Sequence, residues 1–119
     1  MPRILIVDDE PDIRDCLQSF FTARGFSVAY AFSGEEAIDQ LTSQVADVIL
    51  LDINLPGLSG LEVLKRVKDL SPSCRVVMLS AFDEPYLRSQ AAAYGAYGYI
   101  TKPFNFSEAT WAPVLSHPF

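Results

Sequence analysis

The feature that most constrains this chain is the stretch Val45-Ala46-Asp47-Val48-Ile49-Leu50-Leu51, which ends abruptly at Asp52. A nearly continuous apolar run of this length suits a central strand of a parallel sheet, covered on both faces. Parallel neighbours need crossover connections, so helical segments are expected on either side of it.

The flanking sequence supplies them. Residues 3–7 form a short β-rich apolar run. The period then changes: Ile13, Cys16, Leu17, Phe20 and Phe21 fall on one face of a helix over 12–24, with Pro11 at its opening and Gly25 at its stop. Phe26, Val28 and Tyr30 alternate as a second strand. Ser33-Gly34-Glu35-Glu36 and Ser59-Gly60-Leu61-Glu62 have capping-box spacing and open two further helices. Arg75–Leu79 reads as a fourth strand. A helix follows from Asp83-Glu84-Pro85 through the alanines to Gly95, and Tyr97–Ile100 forms a fifth strand. Five strands alternating with helices predict a parallel sheet with right-handed crossovers and helices on both faces.

A chain of 119 residues with 50% hydrophobic and 20% charged residues reads as one globular domain. Its net charge of −6 argues against direct nucleic-acid binding by this segment. No apolar run approaches membrane-spanning length, and the apolar start meets Asp8-Asp9-Glu10 too soon for a signal peptide. A cytoplasmic location is expected, with Cys16 and Cys74 reduced as ordinary core or near-core thiols.

In open α/β sheets, ligands bind beyond the carboxyl ends of the strands. Asp8 and Asp9 follow strand 1, Asp52 strand 3, Ser80 strand 4 and Lys102 strand 5. Three carboxylates, a hydroxyl and an amine are thereby expected at one edge. Crowded carboxylates raise one another's pKa, and a hard divalent cation such as Mg²⁺ relieves that cost. Asp52 is the natural nucleophile, and Mg²⁺ with Lys102 would stabilise charge on a transferring phosphoryl group. This chemistry is phosphoryl transfer onto the protein itself.

Ile4-Leu5-Ile6-Val7-Asp8-Asp9-Glu10-Pro11, residues 50–60 (Leu-Leu-Asp-Ile-Asn-Leu-Pro-Gly-Leu-Ser-Gly), Met78-Leu79-Ser80-Ala81 and residues 98–104 (Gly-Tyr-Ile-Thr-Lys-Pro-Phe) closely resemble the receiver domain of bacterial two-component response regulators. The resemblance covers roughly residues 3–106. It implies a flavodoxin-like, doubly wound (βα)5 fold with strand order 2-1-3-4-5. It also implies Asp52 as phosphoacceptor, and Asp8, Asp9, Asp52 and the Asn54 backbone carbonyl as Mg²⁺ ligands. Lys102 is the site lysine, Ser80 the switch hydroxyl and Tyr99 the switch aromatic, and the Lys102–Pro103 bond is cis. The implied partner is a histidine kinase or a phosphotransfer protein. Phosphorylation would shift the surface of helix 4, strand 5 and helix 5 between two states. Asn54 and Phe82 occupy positions that tune phosphoryl lifetime, and the bulk of Phe82 predicts a longer-lived state than in fast chemotaxis receivers.

The C-terminus departs from the family. Pro113 and the His117-Pro118-Phe119 end predict a helix 5 that is short or irregular and does not continue past about residue 112. The expected division is a receiver core at 1–106 and a divergent segment at 107–119. Natural divergence and a truncated end both remain open for that segment. The chain reads as a stand-alone receiver or the N-terminal part of a longer regulator with an output domain. It is expected as a monomer or a weak, phosphorylation-dependent dimer. His117 is read as neither catalytic nor metal-binding.

Two other functions share parts of this pattern. A Mg²⁺-dependent phosphatase with an aspartyl nucleophile would usually carry a general-acid Asp where Asn54 stands. A pseudo-receiver acting only as a binding module conflicts with the intact five-part site; the unusual C-terminus is its support. A signalling domain that catalyses only its own phosphorylation and dephosphorylation is the expected reading.

Overall fold

The structure, a computed structural model, describes residues 2–81 and 84–115. Its elements run β1 (Arg3–Val7), α1 (Pro11–Thr22), β2 (Ser27–Ala31), α2 (Gly34–Ser43), β3 (Val48–Asp52), α3 (Gly60–Leu70), β4 (Arg75–Ser80), α4 (Pro85–Ala93), β5 (Gly98–Thr101) and α5 (Glu108–Leu115). The strands form one sheet in the order β2-β1-β3-β4-β5, and every pairing is parallel. This is the expected doubly wound, flavodoxin-like topology.

Strand alternation distributes the apolar residues between two layers. Ile4, Ile6, Val48, Leu50, Val77 and Leu79 face α1 and α5, where Leu17, Phe20, Phe21, Trp111 and Val114 cover them. Leu5, Val7, Ile49, Leu51, Val76 and Met78 face the opposite layer, where Ala37, Leu41, Val63, Leu64, Val67 and Ala91 come from α2, α3 and α4. All five residues of β3 are buried, which explains its unbroken apolar sequence.

Local signals set most boundaries. Ser33 Oγ accepts from the Glu36 N–H and Ser59 Oγ from the Glu62 N–H, so both expected caps form. Gly25 (φ 88°) and Gly95 (φ 96°) end the turns after α1 and α4 in the left-handed region, where a side chain would be strained.

Four expectations need correction. β3 begins at Val48: Val45 is exposed, and the Asp47 carboxylate accepts the Arg3 N–H at 2.7 Å while its carbonyl accepts the Arg75 N–H at 3.0 Å. β5 begins at Gly98, with Tyr97 exposed against Arg75. Cys16 is exposed, because the buried stripe of α1 centres on Leu17, Phe20 and Phe21; Cys74 is buried, and both are free.

The fourth correction concerns α5, which is short but continues through Pro113 to Leu115. Ser107 Oγ accepts from the Thr110 N–H, and Asn105 Oδ1 accepts from the Ser107 N–H, which starts the helix. Trp111 and Val114 are fully buried, and Pro113 packs on Gly98, where a Cβ would come within 3.3 Å of the proline. This tertiary anchoring outweighs the proline's local cost. His117 lies outside the described residues.

Candidate functional site

The carboxyl edge of the sheet brings the expected residues together. Asp8 follows the last residue of β1, Asp52 ends β3, Ser80 ends β4, and Lys102 follows β5. Asp8 and Ser80 are fully buried and Asp52 nearly so.

The two buried aspartates are held alike. Asp8 Oδ1 accepts the Glu10 N–H at 2.9 Å, and Asp52 Oδ1 accepts the Asn54 N–H at 2.9 Å. These are Asx turns, which suit Asp where a strand gives way to a loop. Each residue's Oδ2 accepts from Lys102 Nζ at 3.0 Å. The third partner of Lys102 is Glu10 Oε1, also at 3.0 Å. The Lys102 backbone N–H donates to the Ser80 carbonyl at 2.7 Å, which ties the lysine to the end of β4. The Lys102–Pro103 peptide is cis.

Burial pushes the Asp8 carboxyl above the ordinary aspartate range, although the Glu10 N–H and Lys102 pull the other way. For Lys102, burial acts to lower the value, but hydrogen bonds to Asp52 and Asp8 outweigh it. Its ammonium is held above the ordinary lysine range.

Oxygens of Asp8, Asp9, Glu10 and Asp52 lie within 4.8 Å of one another. This is a hard, anionic donor set, the kind that suits Mg²⁺ or Ca²⁺. Asn54 is exposed at the same edge. Tyr99 is half-buried on β5, with the Arg88 guanidinium 4.5 Å from its ring, and Arg88 also donates to Thr101 Oγ1. Phe82 lies outside the described residues.

Sequence reasoning missed Glu10 as a partner of Lys102, and Arg88 as the neighbour of Tyr99. Glu10 was visible only as the third acid of a charge run. Its place directly after buried Asp8 and exposed Asp9, at the end of β1, was the available signal.

The comparisons with known proteins agree with this fold. The model of the response regulator receiver domain matches residues 4–112. Sporulation initiation phosphotransferase F of Bacillus subtilis is 36% identical over 106 residues, which cover 89% of this chain and 86% of that protein. Transcriptional regulatory protein DltR of Streptococcus agalactiae is 38% identical over 106 residues, and there the chain spans only 47% of the relative's length. Among solved structures, the response regulator TrrA of Thermotoga maritima, in complex with Mg²⁺-BeF, matches with a TM-score of 0.81 and 38% identity. That match covers 92% of this chain and 93% of that one.

The chain therefore belongs to the response regulator receiver domain family, the signalling domain of two-component systems. Among the described residues, no helix is long and apolar enough to cross a membrane.

Proposed function

We propose that this receiver domain is a phosphorylation switch that takes a phosphoryl group onto Asp52 from a phosphohistidine. One observation carries the reading: Lys102 Nζ lies 3.0 Å from both Asp8 and Asp52 in a buried corner of the sheet edge. A lysine so placed can neutralise an anion arriving at the Asp52 carboxylate.

An oxygen of Asp52 attacks phosphorus, and the O–P bond forms as the N–P bond of the donor breaks. The electron pair of that bond returns to the imidazole nitrogen. Asn54 fixes the acceptor through its N–H on Oδ1, leaving the other oxygen toward Lys102. Asp8, Asp9, Asp52 and the Asn54 carbonyl would hold Mg²⁺, which when bound supplies further positive charge to the transferring oxygens. Ser80 then hydrogen-bonds the new phosphoryl group. Tyr99 turns with it, and the face of α4, β5 and α5 changes population between two states.

In this reading the donor is a histidine kinase or a phosphotransfer protein, and the setting is cytoplasmic. The domain works alone or ahead of an output domain in a longer chain, as a monomer or a weak phosphorylation-dependent dimer. It catalyses only its own phosphorylation and dephosphorylation. Residues 1–106 carry the site, and 107–119 are a divergent segment whose α5 closes the α1 layer.

The test is intact-protein mass after incubation with acetyl phosphate or phosphoramidate and Mg²⁺, beside Asp52→Asn. One added phosphoryl group, absent in the variant and absent with EDTA, is the expected result. No addition with either donor would overturn the reading in favour of a binding module.

A further inference from the structure

A lysine ammonium has three N–H donors. In this domain three carboxylate oxygens surround Lys102 Nζ, those of Asp8, Glu10 and Asp52, each at 3.0 Å. A phosphoryl oxygen arriving at Lys102 must therefore displace one of them.

The three partners are not equally held. The Asp8 side chain is fully buried and that of Asp52 is 5% exposed, whereas that of Glu10 is 57% exposed. Asp8 and Asp52 are each pinned by a backbone N–H on the second oxygen. Among the described residues, the Glu10 carboxylate pairs with Lys102 and with no other cation. Its release costs least, because water replaces the lost contact at once. Releasing Asp8 would strand a buried charge.

We propose that Glu10 is a placeholder for the incoming phosphoryl group. It occupies the third N–H of Lys102 in the resting domain and yields it to a phosphoryl oxygen as Asp52 is phosphorylated. The proposal rests on the phosphoacceptor reading above. Glu10 is a positioning residue: it acts through Lys102 and touches no reacting atom. With acetyl phosphate as donor, the Asp52 oxygen forms an O–P bond while the acyl O–P bond breaks, and the electron pair leaves on acetate. Glu10 gains and loses only a hydrogen bond. Its hold on Lys102 is a brake on transfer.

The test uses the full chain and compares wild type with Glu10→Ala, Glu10→Gln and Glu10→Asp. Aspartate keeps the charge but is one methylene short of Lys102. Phosphorylation by acetyl phosphate at fixed Mg²⁺ is expected to quicken about three- to tenfold in the Ala and Asp variants, the worth of one exposed charge-assisted contact, and less in Gln. The Nζ protons of Lys102, followed by NMR, should exchange with water faster in Ala and Asp. Glu10 lends charge to the carboxylate cluster, so Mg²⁺ affinity, from calorimetry with the metal alone, should fall in Ala but by less than about tenfold, the worth of one nearby charge that is not a ligand.

An Asp variant that matches wild type while Ala is faster would assign the effect to charge repulsion of the donor and overturn the proposal. Unchanged or slower phosphorylation in every variant would overturn it too. So would a tenfold or greater loss of Mg²⁺ affinity in Ala and Asp, which would make Glu10 a metal ligand. Failure of wild type itself to take up phosphate would instead overturn the phosphoacceptor reading.

Discussion

Gly60 lies directly against the backbone of Asp52. A Cβ at Gly60 would overlap the Asp52 carbonyl oxygen and come within 2.6 Å of Ile53 Cα. The Gly60 N–H also donates to the Ile53 carbonyl at 2.9 Å. The first turn of α3 thus packs on the end of the strand that carries the proposed acceptor, and no side chain fits between them.

Gly60→Ala should therefore force α3 or the Asp52 backbone to move. The expected loss of stability is about 3 kcal/mol, since the obstruction is main chain and cannot swing aside. Phosphorylation should slow by about 10–100-fold as the acceptor shifts. Urea denaturation and intact mass measure the two effects. Wild-type stability in the variant would show that the helix retreats freely.

Asp8 is fully buried, and burial outweighs its hydrogen bonds in setting its proton affinity. Its charge is thus a net cost to the fold. Asp8→Asn keeps the shape and removes that charge, so stability should rise on the order of 1 kcal/mol while Mg²⁺ affinity falls at least about tenfold. A lower urea midpoint for the variant would mean that pairing with Lys102 exceeds the desolvation cost.

Trp111 fixes the C-terminal helix. It is fully buried among Phe20, Phe21, Phe104 and Phe106, and its Nε1–H donates to the Asn105 carbonyl at 2.9 Å. Trp111→Phe leaves that carbonyl without its indole partner and should cost about 1–3 kcal/mol. Trp111→Ala also empties the pocket and should cost about 3–5 kcal/mol. Equal costs for the two would assign all of the effect to the hydrogen bond.

Burial pushes the Cys74 thiol up to about 11. The folded chain therefore holds this proton more tightly than the unfolded chain does. Its contribution to stability is complete below the unfolded thiol value and is lost as pH rises from there through about 11. Between those limits wild type should lose up to about 3 kcal/mol that Cys74→Ala does not lose. At neutral pH a thiol reagent should modify exposed Cys16 quickly and Cys74 only on unfolding. Rapid modification of both would show that the Cys74 pocket opens in the native state.

Much of this molecule was legible before folding. The capping serines, the period change after β1 and the unbroken run of β3 each report a local preference or a burial pattern that a few residues encode. The misreadings have a common origin. Val45 and Cys16 are apolar or thiol side chains at the edge of a pattern, and only the neighbouring elements determine whether an edge position is covered. Pro113 argues locally against a helix, yet the buried Trp111 and Val114 and the contact with Gly98 hold α5 through it. Glu10 was legible as an acid but not as a partner of Lys102, which lies 92 residues away.

The sequence by itself determined the alternation of strands and helices and the polar residues that close each strand, because both follow from short-range spacing. Parallel strands in doubly wound order then place those closing residues at one edge. Only the tertiary structure decided how they meet there: Lys102 among three carboxylates, two of them buried and one exposed. That difference in exposure arises from packing across the sheet. It sets which contact is cheap to break, and no local pattern of residues encodes it.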